Sequence, residues 1–244
     1  MKASKTSLLA ALAIGSLWAM NASAQTYYGS GDLLLGIRNG GSYDVVVDLG
    51  SYSQFTTNGG TAFTVATLGS GTLSNQLSTA GISLANLTFS VFGDTGIATV
   101  FATRMSGLPF WASQSQSAQS VPVSRIEGIG AGYNDILTSG NSTVISSTYY
   151  FGGNSSYTRG VGAGGNLNFF SSSIENSTYS GFPQIYSDLF QLNPSSGVGS
   201  DLGVFTLDSA GVLTFTPVPE PSTLALMGMG AMSLIALRRK NAKI

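Results

Sequence analysis

The sequence predicts a mainly β protein, an antiparallel β-sandwich of jelly-roll-like or similar form with little helix, held between a signal helix and a single transmembrane helix. Three observations carry that prediction. Short apolar or alternating runs recur between Gly, Ser and Asn clusters, as in sandwiches. Helical periodicity is scarce. The 244 residues include 32 Gly but only 9% charged side chains, against roughly a quarter in typical domains.

Taken in order, the strand runs are Asp32 to Arg38, Tyr43 to Leu49, Leu87 to Phe92, Thr99 to Thr103, Val144 to Phe151, Leu167 to Phe170, Leu189 to Leu192, Gly203 to Leu207 and Val212 to Thr216. Asn39-Gly40-Gly41 accepts positive φ and joins the first two runs as a hairpin. Asp208-Ser209-Ala210-Gly211 does the same for the last two, so the domain closes where the carboxyl-terminal segment begins. Leu73 to Thr79 is a fair helix candidate. Arg125 to Ala131 is a poor one, because each glycine in a helix interior costs about 1 kcal/mol relative to Ala. Residues 112 to 120, Ala-Ser-Gln-Ser-Gln-Ser-Ala-Gln-Ser, read as a loop or flexible linker.

The two ends read as targeting signals. Residues 1–24 carry Lys2 and Lys5, an apolar run from Leu8 to Met20, and small residues at Ala22 and Ala24 ahead of Gln25, which is the pattern of a secretory signal cleaved by signal peptidase. Residues 25–217 form the exported domain. Residues 218–244 contain Pro219-Glu220-Pro221, an uncharged stretch 222–237, and the basic tail Arg238, Arg239, Lys240 within 238–244. Sixteen helical residues span about 24 Å, short of a bilayer core of about 30 Å, so the anchor is marginal. The basic cluster puts the carboxyl end in the cytoplasm and the domain outside.

These residues resemble the PEP-CTERM sorting signal of exported Gram-negative bacterial proteins: the triplet at Pro219, Glu220 and Pro221, a short apolar helix, then an Arg-rich tail. The resemblance implies processing by an exosortase in cells that make extracellular polysaccharide. Gly31-Asp32-Leu33-Leu34-Leu35-Gly36 and Asp44-Val45-Val46-Val47-Asp48-Leu49-Gly50 are similar to the opening of many exported proteins of that group, for which no activity or site residue carries over.

Composition narrows the chemistry. Neither His nor Cys is present, so Ser-His-Asp and Cys-His nucleophilic pairs, His/Cys zinc sites and disulfides are excluded. Between residues 25 and 219 there is no lysine, and ten acidic side chains face Arg38, Arg104, Arg125 and Arg159, a balance that opposes a nucleic-acid partner.

Asp44 and Asp48 share one strand face opposite Val45 and Val47 and are expected to be exposed and solubilising. Four strand residues separate them by about 13 Å, beyond the ~5–9.5 Å of a glycosidase pair. Glu127 and Asp135 flank a Gly-rich segment that could loop around calcium, yet no EF-hand pattern accompanies them, and no metal ligands or cofactor are assigned. The Gly-rich 128–132 and 160–165 segments lack a phosphate-loop context and read as loops. Phe110-Trp111, Tyr149-Tyr150-Phe151, Tyr157, Phe169-Phe170 and Tyr179 lie among Ser, Asn and Gln, the chemistry that holds sugars, with Trp111 the foremost candidate for a sugar contact; ordinary core is the alternative.

The expectation is therefore a non-enzymatic exported envelope or extracellular-matrix protein, sorted by an exosortase and associated with exopolysaccharide. The alternatives are a carbohydrate-binding module using exposed aromatics and, third, a carboxylate-based glycosidase.

Overall fold

The computed structural model describes residues 28–39, 43–56, 60–96, 99–108, 115–138, 144–146, 157–161, 167, 173–194 and 199–218. Ten strands form one antiparallel sheet: β1 (Asp32–Arg38), β2 (Tyr43–Ser51), β3 (Phe63–Thr67), β4 (Thr88–Asp94), β5 (Val100–Met105), β6 (Val144–Ser146), β7 (Asn176–Ser177), β8 (Gln184–Leu192), β9 (Ser200–Asp208) and β10 (Val212–Pro217). Their order is β3-β10-β9-β8-β5-β4-β1-β2-β6, with β7 attached to β4, and the sheet is nearly closed. The mainly antiparallel β expectation holds, but the two stacked sheets of a sandwich are replaced by one sheet that curls on itself.

The reason is visible in β1. Leu33, Leu34, Leu35 and Ile37 are all fully buried, so this strand has core on both faces, where the usual antiparallel strand alternates core with solvent. Leu33, Leu35 and Ile37 point inward to a core shared with Val45, Phe89, Phe101, Leu189, Phe205, Leu213 and Phe215. Leu34 points outward to a second core with Val46, Phe92, Ala102 and Phe190. Curling closes the first core. Helix closes the second.

Both expected hairpins form. β1 pairs with β2 from Arg38 opposite Asp44 to Asp32 opposite Ser51, and β9 pairs with β10 through a turn in which Gly211 takes φ +80°. β3 escaped the sequence reading. It pairs with β10, and Phe63 joins Phe55, Phe205 and Phe215 in an aromatic cluster with centroids 4.7–5.9 Å apart, capped by the short helix α1 (Ser53–Thr56). Of the run expected from Val144 to Phe151, only Val144–Ser146 falls within the described residues, as a strand. Leu167, expected in a strand, stands instead in a turn, its N–H donating to the Gly160 carbonyl at 2.9 Å.

The helix expected at Leu73 to Thr79 is α2 (Gly71–Thr79). It ends in a Schellman turn: the Ile82 N–H donates to Leu77 O at 2.8 Å and the Gly81 N–H to Ser78 O at 3.0 Å, with Gly81 at φ +71°. The larger correction is α3 (Gln116–Thr138), 23 residues that take in Gln116 to Ser120 of the expected linker and all of the poor helix candidate, while 112–114 lie outside the described residues. Ser115 caps it, its Oγ accepting the Ala118 N–H at 3.3 Å. Val123, Ile126, Ile129 and Tyr133, spaced by three and four, bury one stripe against the outer core. Burying such side chains is worth about 1.5–3 kcal/mol each, which outweighs the propensity lost to glycine.

Gly130 has a packing role as well. A Cβ there would lie 1.9 Å from Cδ1 of Tyr28, whose ring rests on the helix at that point. Helix propensity alone would make Gly130→Ala stabilising by about 1 kcal/mol. The packing reverses the sign: the variant is expected to lower the urea midpoint, and pairing it with Tyr28→Ala should remove most of that added penalty. A rise in midpoint for the single variant would show that the ring is not held there.

Candidate functional site

On the outer face of the sheet, residues 34, 36 and 38 of β1 alternate outward, flanked by Val46 and Asp44 on β2 and by Ser90 and Thr88 on β4. Position 36 is glycine because Tyr157, from α4 (Tyr157–Val161), occupies the space: a Cβ would come within 2.5 Å of the phenol ring. The ring is fully buried and lies parallel to Phe92, with an interplanar angle of 4° and centroids 5.5 Å apart. Its hydroxyl donates to Glu175 Oε1 at 3.0 Å and shares a hydrogen bond with Ser90 Oγ at 2.8 Å.

Glu175 is gripped a second time by Arg38, with Nε to Oε1 at 2.7 Å and Nη2 to Oε2 at 2.5 Å, a bidentate ion pair. Asp44, opposite Arg38 on β2, is fully buried and accepts the Thr158 N–H at 2.7 Å. The expectation that Asp44 is exposed is thereby corrected. Asp48 is half-buried, and its Oδ1 accepts the Gly50 N–H at 2.7 Å. Burial on the outer face follows from the two-sided strand: side chains opposite the inner core lie under α3 and α4.

The electrostatics match a clamp. Hydrogen bonding to Glu175 raises the Arg38 guanidinium further above its ordinary value, against the opposing effect of burial, with Asp44 adding to the rise. Burial, then the Glu175 charge, pushes the Tyr157 phenol well above its ordinary value. Both carboxylate oxygens of Glu175 are engaged, and the phenol beside it is held neutral. Chemically, the group fastens residues 173–177 and α4 onto β1.

A second polar knot fixes the amino-terminal end. The Tyr28 hydroxyl donates to Asp94 Oδ2 at 2.6 Å, its N–H donates to Asn134 Oδ1 at 2.7 Å, and Asn134 Nδ2 returns a bond to Tyr28 O at 3.1 Å. Burial first, then the Asp94 hydrogen bond and charge, with smaller contributions from Glu127 and Asp32, raise the Tyr28 phenol. Glu127 lies on α3 and is exposed, so the loop expected around Glu127 and Asp135, with Gly128, Gly130 and Gly132, is helix instead. Gly160 and Val161, from the other Gly-rich run, are helical too. Among the described residues no three His, Cys, Asp or Glu side chains cluster as a metal site would require.

The aromatic candidates divide. Tyr157 is core, not a sugar platform. Tyr179 is exposed, in edge contact with Phe182, and Tyr186, which lies before the strand run expected from Leu189 and was not among the aromatic candidates, is 47% exposed with its hydroxyl donating to Gln184 Oε1 at 2.6 Å. Phe110, Trp111, Tyr149, Tyr150, Phe151, Phe169 and Phe170 lie outside the described residues, as do Ala22, Ala24, Gln25, Pro219, Glu220, Pro221, the 222–237 stretch and Arg238, Arg239, Lys240. No helix of the described residues is long and apolar enough to cross a membrane.

The carboxyl-terminal exit is well defined. Pro217 closes β10 opposite Gly203, and the Val218 N–H donates to the Leu202 carbonyl at 3.0 Å. Gly203, at φ +147°, is required by this arrangement, since a Cβ would lie 2.3 Å from the Thr216 carbonyl oxygen. Residues 217–240 match the PEP-CTERM protein-sorting motif, so the motif begins at the last residue of β10. No curated protein and no solved structure matches the chain.

Two outcomes follow. Glu175→Gln removes the bidentate carboxylate partner of Arg38 in a largely buried place, leaving only the more distant charge of Asp44, and is expected to destabilise by about 3 kcal/mol, read from urea unfolding; a change below a few tenths would mean that the pair is not a fastening. The raised phenols of Tyr28, Tyr133 and Tyr157 hold their protons longer in the folded chain than in the unfolded one. Their contribution is full below the unfolded value of about 10 and is lost as pH rises beyond it, so stability should be level toward pH ~10 and fall above it. Ultraviolet titration is expected to show these phenols ionising together with unfolding; early, independent ionisation would contradict their burial.

Proposed function

From the PEP-CTERM sorting motif that begins where β10 ends, we propose that this exported exosortase substrate is a non-enzymatic component of the cell envelope or extracellular matrix that associates with exopolysaccharide. The motif is the observation that carries the reading. Signal peptidase removes residues 1–24, the 222–237 helix holds the chain transiently in the inner membrane with its carboxyl end cytoplasmic, and exosortase processing follows. The domain supports a passive role in a specific way: Glu175 spends both oxygens on Arg38 and Tyr157, and Asp44 lies sealed beneath α4, so these carboxylates serve packing where a glycosidase would aim them at substrate.

The exposed tyrosines favour a second reading, a carbohydrate-binding module. Tyr186 is exposed beside Gln184, Tyr179 is exposed beside Phe182, and Trp111 is a further candidate. Rings cover the apolar C–H faces of a sugar while amides bond its hydroxyls. In this reading Tyr179→Ala with Tyr186→Ala weakens retention on the native polymer without shifting the unfolding midpoint, and unchanged retention removes these two residues from it.

The leading reading is tested by the intact mass and terminal peptides of the protein recovered from the native envelope and medium. A chain beginning at Gln25 and ending between Pro219 and Ser222 is expected. Persistence of Arg238 to Ile244 in the mature protein would make it a simple anchored domain, and reproducible hydrolytic turnover by the purified protein would overturn the non-enzymatic role.

A further inference from the structure

The strand registers divide the sheet into two rims. One rim can be followed pair by pair: Pro217 opposite Gly203, Ser200 opposite Gln191, Leu192 opposite Val100, Val100 opposite Asp94, and Asp32 opposite Ser51. The chain leaves the sheet here at Val218. It also enters here, since the Gly31 N–H donates to the Asp94 carbonyl and the Tyr28 hydroxyl bonds the same residue. The opposite rim holds the β9–β10 turn, the start of β8 at Gln184 and the ends of β1 and β5 at Arg38 and Met105. The exposed Met105, Leu108, Tyr179 and Tyr186 gather toward that end.

We propose that the rim bearing Tyr28, Asp94, Ser200 and Val218 faces the lipid surface while the chain is anchored, and that the rim bearing Met105, Tyr179 and Tyr186 faces away from it. This rests on the reading of 222–237 as the membrane-spanning stretch. Val218 is bonded into the sheet and Ser222 opens the apolar stretch, so the connection between them reaches at most about 14 Å even when fully extended. The body of the sheet is longer than that connection: the nine residues of β9 span about 30 Å. The domain therefore lacks the slack to turn its far rim toward the bilayer.

The near rim is held by its tether and not by adhesion. Asp32, Asp48 and Asp201 lie at this end with the buried Asp94, whereas at the far rim Arg38 and Arg104 offset part of the charge of Asp44, Glu175, Asp188 and Asp208. An acidic rim has nothing to offer anionic headgroups, and repulsion acts within a Debye length of about 8–10 Å, comparable with the connection itself. The surface that carries the exposed rings is thus the one presented outward.

The chain has no cysteine, so a thiol placed at either end of β9 is unique. Ser200→Cys and Ser209→Cys, both at exposed positions, are labelled with a small fluorophore in the full-length chain. The chain is reconstituted in phosphatidylethanolamine–phosphatidylglycerol vesicles containing a nitroxide-headgroup lipid. Quenching several times stronger at 200 than at 209 is expected. Equal or reversed quenching in a chain that floats with the vesicles overturns the orientation alone; failure of the chain to float overturns the anchor and the orientation with it. Should either variant misfold by circular dichroism, Thr95→Cys and Ser180→Cys repeat the comparison at the same two rims.

Discussion

A strand with apolar side chains on both faces cannot be satisfied by a single layer, and β1 is such a strand. Leu33, Leu35 and Ile37 require one core and Leu34 another, so the chain must cover both sides of the same sheet. Curling the ten strands closes the inner core. The outer core then demands a lid, and α3, with Tyr157 from α4, supplies it. Gly130 admits the ring of Tyr28, and Gly36 opens β1 to the ring of Tyr157.

Covering the outer face also buries polar groups, which decides where hydrogen bonds must be made. A buried donor or acceptor left without a partner costs about 1–3 kcal/mol, and a charge costs more. The fold answers with compact knots: Arg38 with Glu175, Tyr157 with Ser90, Asp44 with the Thr158 N–H, Tyr28 with Asp94 and Asn134. Each knot joins elements distant in sequence. Together they fasten the amino-terminal entry, the outer helices and residues 173–177 to one side of the sheet, leaving the β8, β9 and β10 side for exposed residues such as Tyr186 and Thr216.

The same geometry connects fold to sorting. β10 lies between β3 and β9, paired on both sides, and the sorting motif starts on its last residue. The motif therefore begins on a strand of the sheet, with Val218 as the last described residue bonded to it. Folding of the domain and placement of the motif are thus coupled through one strand.

By itself the sequence determined the sorting motif, the two hairpins, most strands and α2, because these depend on local pattern: the order of triplet, apolar run and basic tail, period-two alternation, and glycine at turns. Only the tertiary structure decided the rest. α3 was hidden because Ser, Gln and Gly argue against helix locally, and the apolar stripe Val123, Ile126, Ile129 and Tyr133 acquires its value only from the sheet beneath it. β3 was hidden because five residues near Gly-rich turns carry little signal without Phe55 and Phe215 to pack on. The burial of Asp44 and Tyr157 could not be read from alternation either, since that pattern reports one buried face and is silent about a second layer. Period and turn chemistry are local properties. Which face is covered, and by what, is set by contacts between residues far apart in the chain.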